Sequence, residues 1–148
     1  LTDAKANVSF NLGDGRLSLE REPSQQFDML SIDAFSSDSI PMHLMTVEAL
    51  QVYQKQIKPE GAIVYNVTNR LINLAPMVQL LAQKEGMAAI LISDTTAQGD
   101  YYKTDFVIVT RNQKLIQDPR LASAKPIVPI PGLKVWTDDY NNLFDVLR

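Results

Sequence analysis

Apolar and polar positions alternate along this chain in short runs that predict strands separated by helices. Residues 8–12 alternate one by one, which predicts a half-buried strand ending at the turn Gly13-Asp14-Gly15. Residues 62–67 are apolar almost throughout, as in a strand that is buried on both faces. Three further apolar runs predict strands at 27–32, 87–92 and 106–110.

Helical spacing of apolar side chains predicts two long helices, at residues 46–57 and 74–84. Thr46 is suited to cap the first helix because its hydroxyl can accept from an orphan backbone N–H. Gly86 is suited to end the second helix. Shorter segments complete the pattern, with short helices at 16–22 and 140–147 and an irregular, proline-rich stretch at 117–131.

Strands that alternate with helices predict an α/β fold with a mostly parallel sheet and flanking helices. The last two strands have no helix between them, so we expect them to form an antiparallel hairpin at the edge of the sheet. The chain has 148 residues, which fits a single domain spanning 1–148. Because it begins at Leu1 and not at methionine, we expect it to be a fragment of something longer.

Composition narrows the classes of function. With 45% apolar and 21% charged residues the chain is typical of a soluble globular protein. The net charge of -3 argues against a nucleic-acid partner, which would require a basic face. The absence of cysteine excludes disulfides and thiolate chemistry, and a single histidine, His43, makes a metal site unexpected.

Three polar clusters follow predicted strands, at Gly13-Asp14-Gly15, at 33–38 and at 66–70. Ligands of open α/β sheets bind beyond the carboxyl ends of the strands, so we expect these clusters to converge on one site. Asp33 is the leading candidate, because a carboxylate at a strand end can hold an ammonium group or take a proton from an amine.

Each cluster also has a purely structural interpretation. Asp14-Gly15 is a common turn pair, and Asp38 or Ser39 can cap the helix that follows. His43 is either a structural hydrogen-bonding group, which we favour, or an acid–base group that titrates near neutrality. Asp138-Asp139 is expected to cap the final short helix.

Three stretches carry a resemblance to a known family: Gly13-Asp14-Gly15-Arg16, the run FDMLSIDAFSSDSIPMHL at 27–44, and Asn66-Val67-Thr68-Asn69-Arg70. Together with Leu50, Tyr53 and the run Lys58-Pro59-Glu60-Gly61, they resemble the spermidine synthase superfamily of polyamine aminopropyltransferases. The similarity is greatest to its bacterial spermidine-synthase-like branch, often fused to membrane segments, and is strongest over residues 11–70.

The resemblance implies a Rossmann-like, class I S-adenosylmethionine-dependent methyltransferase fold that lacks its N-terminal part. It implies S-adenosylmethionine or its decarboxylated form as cosubstrate, with Asp14 and Gly15 holding the adenine. Asp33 would be the catalytic residue that orients and deprotonates the amine. The remaining implied contacts are with the cosubstrate, through Asp33, Ala34 and Phe35, and with the amine, through Asp38, Asn66 and Tyr101 or Tyr102.

The chain also departs from the family pattern. The spacing from Asp33 to Asp38 is longer than in true synthases, and the Pro-x-Gly-Pro segment that follows there is absent. The glycine-rich loop and the acidic residue that grips the ribose are absent as well, so we expect the fragment to be inactive alone. In place of the missing strands, we expect the strands at 8–12 and 27–32 to pair directly, or a second chain to fill the gap, or the missing piece to have been removed after folding.

The longer spacing and the absent Pro-x-Gly-Pro segment lie in the polyamine-binding loop of the family, so they favour a transferase over a spermidine synthase proper. Polyamine biosynthesis is what the resemblance as a whole implies. The alternatives are a methyltransferase, or a non-catalytic methyltransferase-like module of a membrane-fused protein. The expected partners are a small polyamine-like amine, a second copy of the chain and no nucleic acid. The resemblance implies a cytoplasmic domain, tethered to the inner membrane if the full-length protein carries a membrane-embedded N-terminal region.

Overall fold

A four-stranded mixed sheet organises the computed structural model, which describes residues 5–33, 41–94 and 103–148. The strand order is β1-β2-β4-β3. The strands are β1 (Phe27–Ile32), β2 (Ile57–Asn66), β3 (Ala88–Asp94) and β4 (Thr104–Thr110).

Strand directions confirm the predicted α/β class. β1 and β2 are parallel, and β4 runs antiparallel to both of its neighbours, β2 and β3. Three of the four strands therefore point the same way, and the β3–β4 hairpin occupies one edge of the sheet, with β3 outermost. The arrangement fits the class I methyltransferase-like fold that the resemblance implies.

The helices are α1 (Gly15–Arg21), α2 (Val47–Gln56), α3 (Ala75–Lys84) and the single turn α4 (Gln113–Ile116). The hydroxyl of Thr46 accepts from the N–H of Ala49 at 3.1 Å, which confirms the predicted cap of α2. Gly86 adopts a φ of +64° just after α3, the left-handed conformation that ends a helix. Three 3₁₀ turns lie at Met42–Leu44, Pro119–Leu121 and Leu143–Val146.

The core lies between the sheet and two helices that touch each other. α2 packs against β1 and β2, and α3 packs against β3 and β4. Burial of these apolar faces supplies the main driving force for the fold. The largest fully buried side chains are Trp136, Tyr53, Tyr65, Met45, Leu50, Ile63, Leu74, Met77 and Leu81.

The strand predicted at residues 8–12 is wrong. The segment is irregular, and Phe10 and Leu12 are 72% and 99% exposed. Alternation favours a strand only where a neighbouring strand supplies hydrogen bonds, and in the described part of the chain this segment has no such neighbour. Direct pairing with 27–32 is therefore also wrong, whereas pairing through a second chain stays a prediction.

β2 begins earlier than predicted and carries a large bulge just after the predicted end of the helix at 46–57. Phe27 pairs with Ile57, but Met29 already pairs with Ala62, so the residues at 58–61 form an excursion opposite a single residue of β1. Gly61 allows this close approach, because a Cβ atom there would lie 2.9 Å from the carbonyl oxygen of Phe27.

Candidate functional site

The carboxyl ends of β1 and β2 bring two of the predicted site residues together. Ile32 and Tyr65 are register partners, so Asp33 and Asn66 follow side by side. The side-chain amide of Asn66 donates to Oδ1 of Asp33 at 2.8 Å. The other end of that amide, Oδ1, accepts from the N–H of Thr68 at 3.0 Å, which fixes its orientation. Asp33 is exposed, so its carboxylate is accessible to a ligand.

A second carboxylate lies along the same edge, because antiparallel β4 begins where parallel β2 ends. Asp105 joins the segment after β2 through its backbone: its carbonyl accepts from the N–H of Val67 at 2.8 Å, and its N–H donates to Thr68 at 2.9 Å. Its carboxylate accepts from the hydroxyl of Ser93 at 2.5 Å and lies 3.8 Å from Arg148. Sequence reasoning missed Asp105; its signal was a carboxylate directly before an apolar run.

A buried arginine connects three distant parts of the chain. The Arg16 clamp consists of Arg16, His43, Thr46 and Asp138. The guanidinium of Arg16 is bidentate to the Asp138 carboxylate at 2.7 and 2.6 Å, and it also donates to the His43 carbonyl at 2.7 Å and to the Thr46 hydroxyl at 3.3 Å. The hydrogen bonds from Arg16 lower the pKa of Asp138, and those to Asp138 raise the pKa of Arg16.

Asp14 forms a polar pair with the ring of His43, the residue whose backbone carbonyl belongs to the clamp. Nε2 of His43 lies 2.8 Å from Oδ2 of Asp14, and Oδ1 of Asp14 accepts from the N–H of Leu17 at 2.9 Å. The hydrogen bond from the Leu17 N–H has the largest effect on the pKa of the Asp14 carboxyl and lowers it. The hydrogen bond with His43 lowers the same pKa further. Because its side chain accepts from the Leu17 N–H, Asp14 caps α1, which explains why a helix begins at Gly15.

The clamp and this pair line a cavity of about 450 Å³, the clamp cavity. Its walls carry three carboxylates against one guanidinium, which suits a ligand with a positive or hydrogen-donating group. The lining residues are Asp14, Arg16, Leu17, Glu20, His43, Thr46, Asp138 and Asn141.

The structure joins two of the three predicted clusters by hydrogen bonds. Asp33 and Asn66 meet directly, whereas Asp14 contacts His43 in the segment that precedes α2. Since the described residues before it, 5–13, form no strand, Asp14 does not lie at a strand end as the sequence predicted. Five predicted contact residues fall outside the described residues, and their roles stay predictions: Ala34, Phe35, Asp38, Tyr101 and Tyr102.

The capping role predicted for Asp138-Asp139 is wrong. Asn142 caps the final 3₁₀ turn, and its side-chain oxygen accepts from the N–H of Phe144 at 3.2 Å. Asp138 instead accepts from Arg16, a partner 122 residues away in the chain. Local spacing carries no information about such a partner, which is why the sequence favoured the local interpretation.

The described segments contain neither a metal-binding group nor a membrane-spanning helix. Within 5–33, 41–94 and 103–148, no group of three or more histidine, aspartate or glutamate side chains is arranged to hold a metal ion. No helix in those same segments is long and apolar enough to cross a bilayer.

Known proteins are similar to this chain both in sequence and in structure. No family model matches the chain. The polyamine aminopropyltransferase of Vibrio vulnificus (strain CMCP6) is 34% identical over 62 residues, which cover 40% of this chain and 21% of that protein. The match thus spans about a fifth of the relative's length. MnmC2 from Aquifex aeolicus aligns over 75% of this chain and 39% of its own, with 18% identity and a TM-score of 0.48.

Proposed function

We propose that this chain carries the amine-binding half of a transferase that uses S-adenosylmethionine or its decarboxylated form. The pairing of Asp33 with Asn66 at the carboxyl ends of two parallel strands is the observation that carries the proposal. The similarity to an aminopropyltransferase over 62 residues supports the same reaction class. The acceptor would be a small amine.

Asp33 has the geometry that such a reaction requires of its proton acceptor. Asn66 fixes one carboxylate oxygen, and the second makes no hydrogen bond to any residue that the structure describes. That oxygen can receive an N–H of the incoming ammonium group and take its proton. The nitrogen lone pair then forms a bond to the carbon beside the sulfonium while the carbon–sulfur bond breaks, and the thioether leaves with the electron pair.

Positioning accounts for most of the catalysis expected at such a site, because the displacement needs no covalent intermediate on the protein. Methyl transfer and aminopropyl transfer share this displacement and the same demand for a proton acceptor. The sequence relative favours the aminopropyl group. We therefore propose decarboxylated S-adenosylmethionine as the preferred cosubstrate.

Ligand binding to the full-length protein tests the cosubstrate. Calorimetry with S-adenosylmethionine and with its decarboxylated form should show binding of at least one, and tighter binding of the decarboxylated form. Tighter binding of S-adenosylmethionine would favour methyl transfer. Binding of neither would overturn the proposal in favour of a non-catalytic module.

Asp33→Asn tests the catalytic assignment in the same full-length protein. We expect the turnover number with a short diamine acceptor to fall by about 10²- to 10⁴-fold, because the amide cannot take the proton. Cosubstrate binding should remain. Asp28→Asn is the matched control, since Asp28 is an exposed aspartate of the same strand and should leave turnover unchanged. Wild-type turnover in Asp33→Asn would contradict the assignment.

A further inference from the structure

A second cavity, of about 250 Å³, lies at the opposite end of the sheet from Asp33. We call it the amino-edge cavity, because its walls come from the residues around the start of β1 and β2 and from the end of β4. Three of its lining residues are cationic, Lys55, Lys58 and Arg111, and none is a carboxylate. In a chain of net charge -3, such a concentration of positive charge around one cavity is unexpected.

The bulge of β2 shapes this cavity, and two side chains hold the bulge in place. The hydroxyl of Thr110 donates to the carbonyl of Gly61 at 2.8 Å, and the amide of Asn112 donates to the carbonyl of Glu60 at 3.0 Å. Arg111 lies between these two anchors in sequence. Its position beside the bulge is therefore fixed from both sides.

Most hydrogen-bond donors of the three cations remain available. Lys55 makes no ion pair or side-chain hydrogen bond within the described part of the chain. Lys58 uses one of its three donors on Asp28, at 2.6 Å. Arg111 uses one of its five on the carbonyl of Glu85, at 2.5 Å.

We infer that the amino-edge cavity binds a phosphate group, as inorganic phosphate or as the phosphomonoester of a small metabolite. A phosphate offers several acceptor oxygens, which match the unused donors of two lysines and an arginine. The volume suits a small anion better than a drug-sized ligand, for which cavities begin near about 300 Å³. The inference does not depend on the transferase proposal, because it concerns the other end of the sheet.

Titration of the full chain with inorganic phosphate and with glycerol phosphate tests the inference. At constant ionic strength, we expect saturable changes in the amide NMR signals of Lys58, Gly61 and Arg111. Tighter binding of glycerol phosphate would identify a phosphomonoester as the ligand, and equal or weaker binding would identify inorganic phosphate. Chloride at the same ionic strength should give no saturable change.

Three variants and one control make the test specific. Lys55→Gln and Arg111→Gln should each weaken phosphate binding by about tenfold, because each removes a charged donor. Asp28→Asn should tighten binding, because it releases the Lys58 ammonium. Lys125→Gln removes an exposed lysine that does not line the cavity and should bind as the wild type does.

Two results would overturn the inference. One is the absence of saturable phosphate binding, and the other is an equal loss of affinity in Lys55→Gln and Lys125→Gln. Arg111 also supports the Glu85 carbonyl, so a loss in Arg111→Gln alone could reflect altered structure. Lys55→Gln avoids that ambiguity, because the Lys55 side chain supports no other described residue.

Discussion

Asp138 and Asp14 each receive more than one hydrogen-bond donor, and those donors shift the titration of the two carboxylates. Asp138 accepts from Arg16 and Thr46, and Asp14 accepts from Leu17 and lies against His43. Hydrogen bonds to a carboxylate favour its charged form. The pKa values of Asp138 and Asp14 are accordingly lowered in the folded protein.

The lowered pKa values predict a loss of stability in acid. An unfolded aspartate titrates at about pH 3.9. The stability contributed by a group whose folded pKa lies below that value is complete above it and is lost as the pH falls through the folded pKa. We expect the urea midpoint to fall steeply below about pH 4, and Asp138→Asn to make that fall shallower.

Asp118→Asn is the control for this pH dependence. The Asp118 pKa is lowered to about 2 by hydrogen bonds from Arg120, two residues away in the chain. Such a local pair can form in the unfolded chain as well, so it contributes little to the difference between the two states. If Asp118→Asn changes the acid transition as much as Asp138→Asn does, the assignment to the Arg16 clamp is incorrect.

At the scale of elements, local signals predicted the helices and strands wherever neighbouring segments agreed with them. α2 begins after Thr46 and α3 ends before Gly86, as the cap residues indicated. The strand expected at 8–12 is absent because its pattern had no partner strand to pair with. Pro59 indicates locally only that a helix has ended, but pairing with β1 on both sides of 58–61 makes the segment a bulge.

The bulge makes a sharp prediction at Gly61. In Gly61→Ala the new Cβ would lie 2.9 Å from the Phe27 carbonyl oxygen and 3.0 Å from that of Lys58. Both are backbone atoms, and the Phe27 carbonyl is held by the pairing of β1 with β2, so we expect a loss of about 1–3 kcal/mol in the free energy of unfolding. Gly15→Ala is the control, because nothing lies within 4 Å of its Cβ position. Equal urea midpoints for the two variants would contradict this account of the bulge.

At the scale of the whole molecule, the candidate site was predictable only where the sheet itself places residues together. Asp33 and Asn66 end adjacent parallel strands, so strand-end position was enough to pair them. The contact between Arg16 and Asp138 joins residues from opposite ends of the chain, and no local pattern encodes it. The clamp cavity was therefore missed, although Asp14 and His43 had been singled out individually.

The Arg16 clamp predicts long-range coupling across the molecule. Arg16 is only 8% exposed, and its guanidinium ties α1 to the segment before α2 and to Asp138. Arg16→Met would keep most of the apolar volume and leave the Asp138 carboxylate without its main partner. We expect a loss of roughly 2–4 kcal/mol in the free energy of unfolding, somewhat below the cost of breaking a fully buried pair because Asp138 is partly exposed.

Arg120→Met supplies the comparison that decides whether this loss comes from the clamp. Arg120 also forms an aspartate pair, with Asp118 at 2.7 Å, but its side chain is 87% exposed. Water screens the attraction between exposed charges, so such a pair contributes little to stability and Arg120→Met should unfold at nearly the wild-type urea concentration. If only Arg16→Met loses stability, an ion pair alone is not enough to hold α1 and the C-terminal segment together. The burial of Arg16 and its hydrogen bonds to His43, Thr46 and Asp138 then account for the difference. Similar losses in both variants would contradict that coupling.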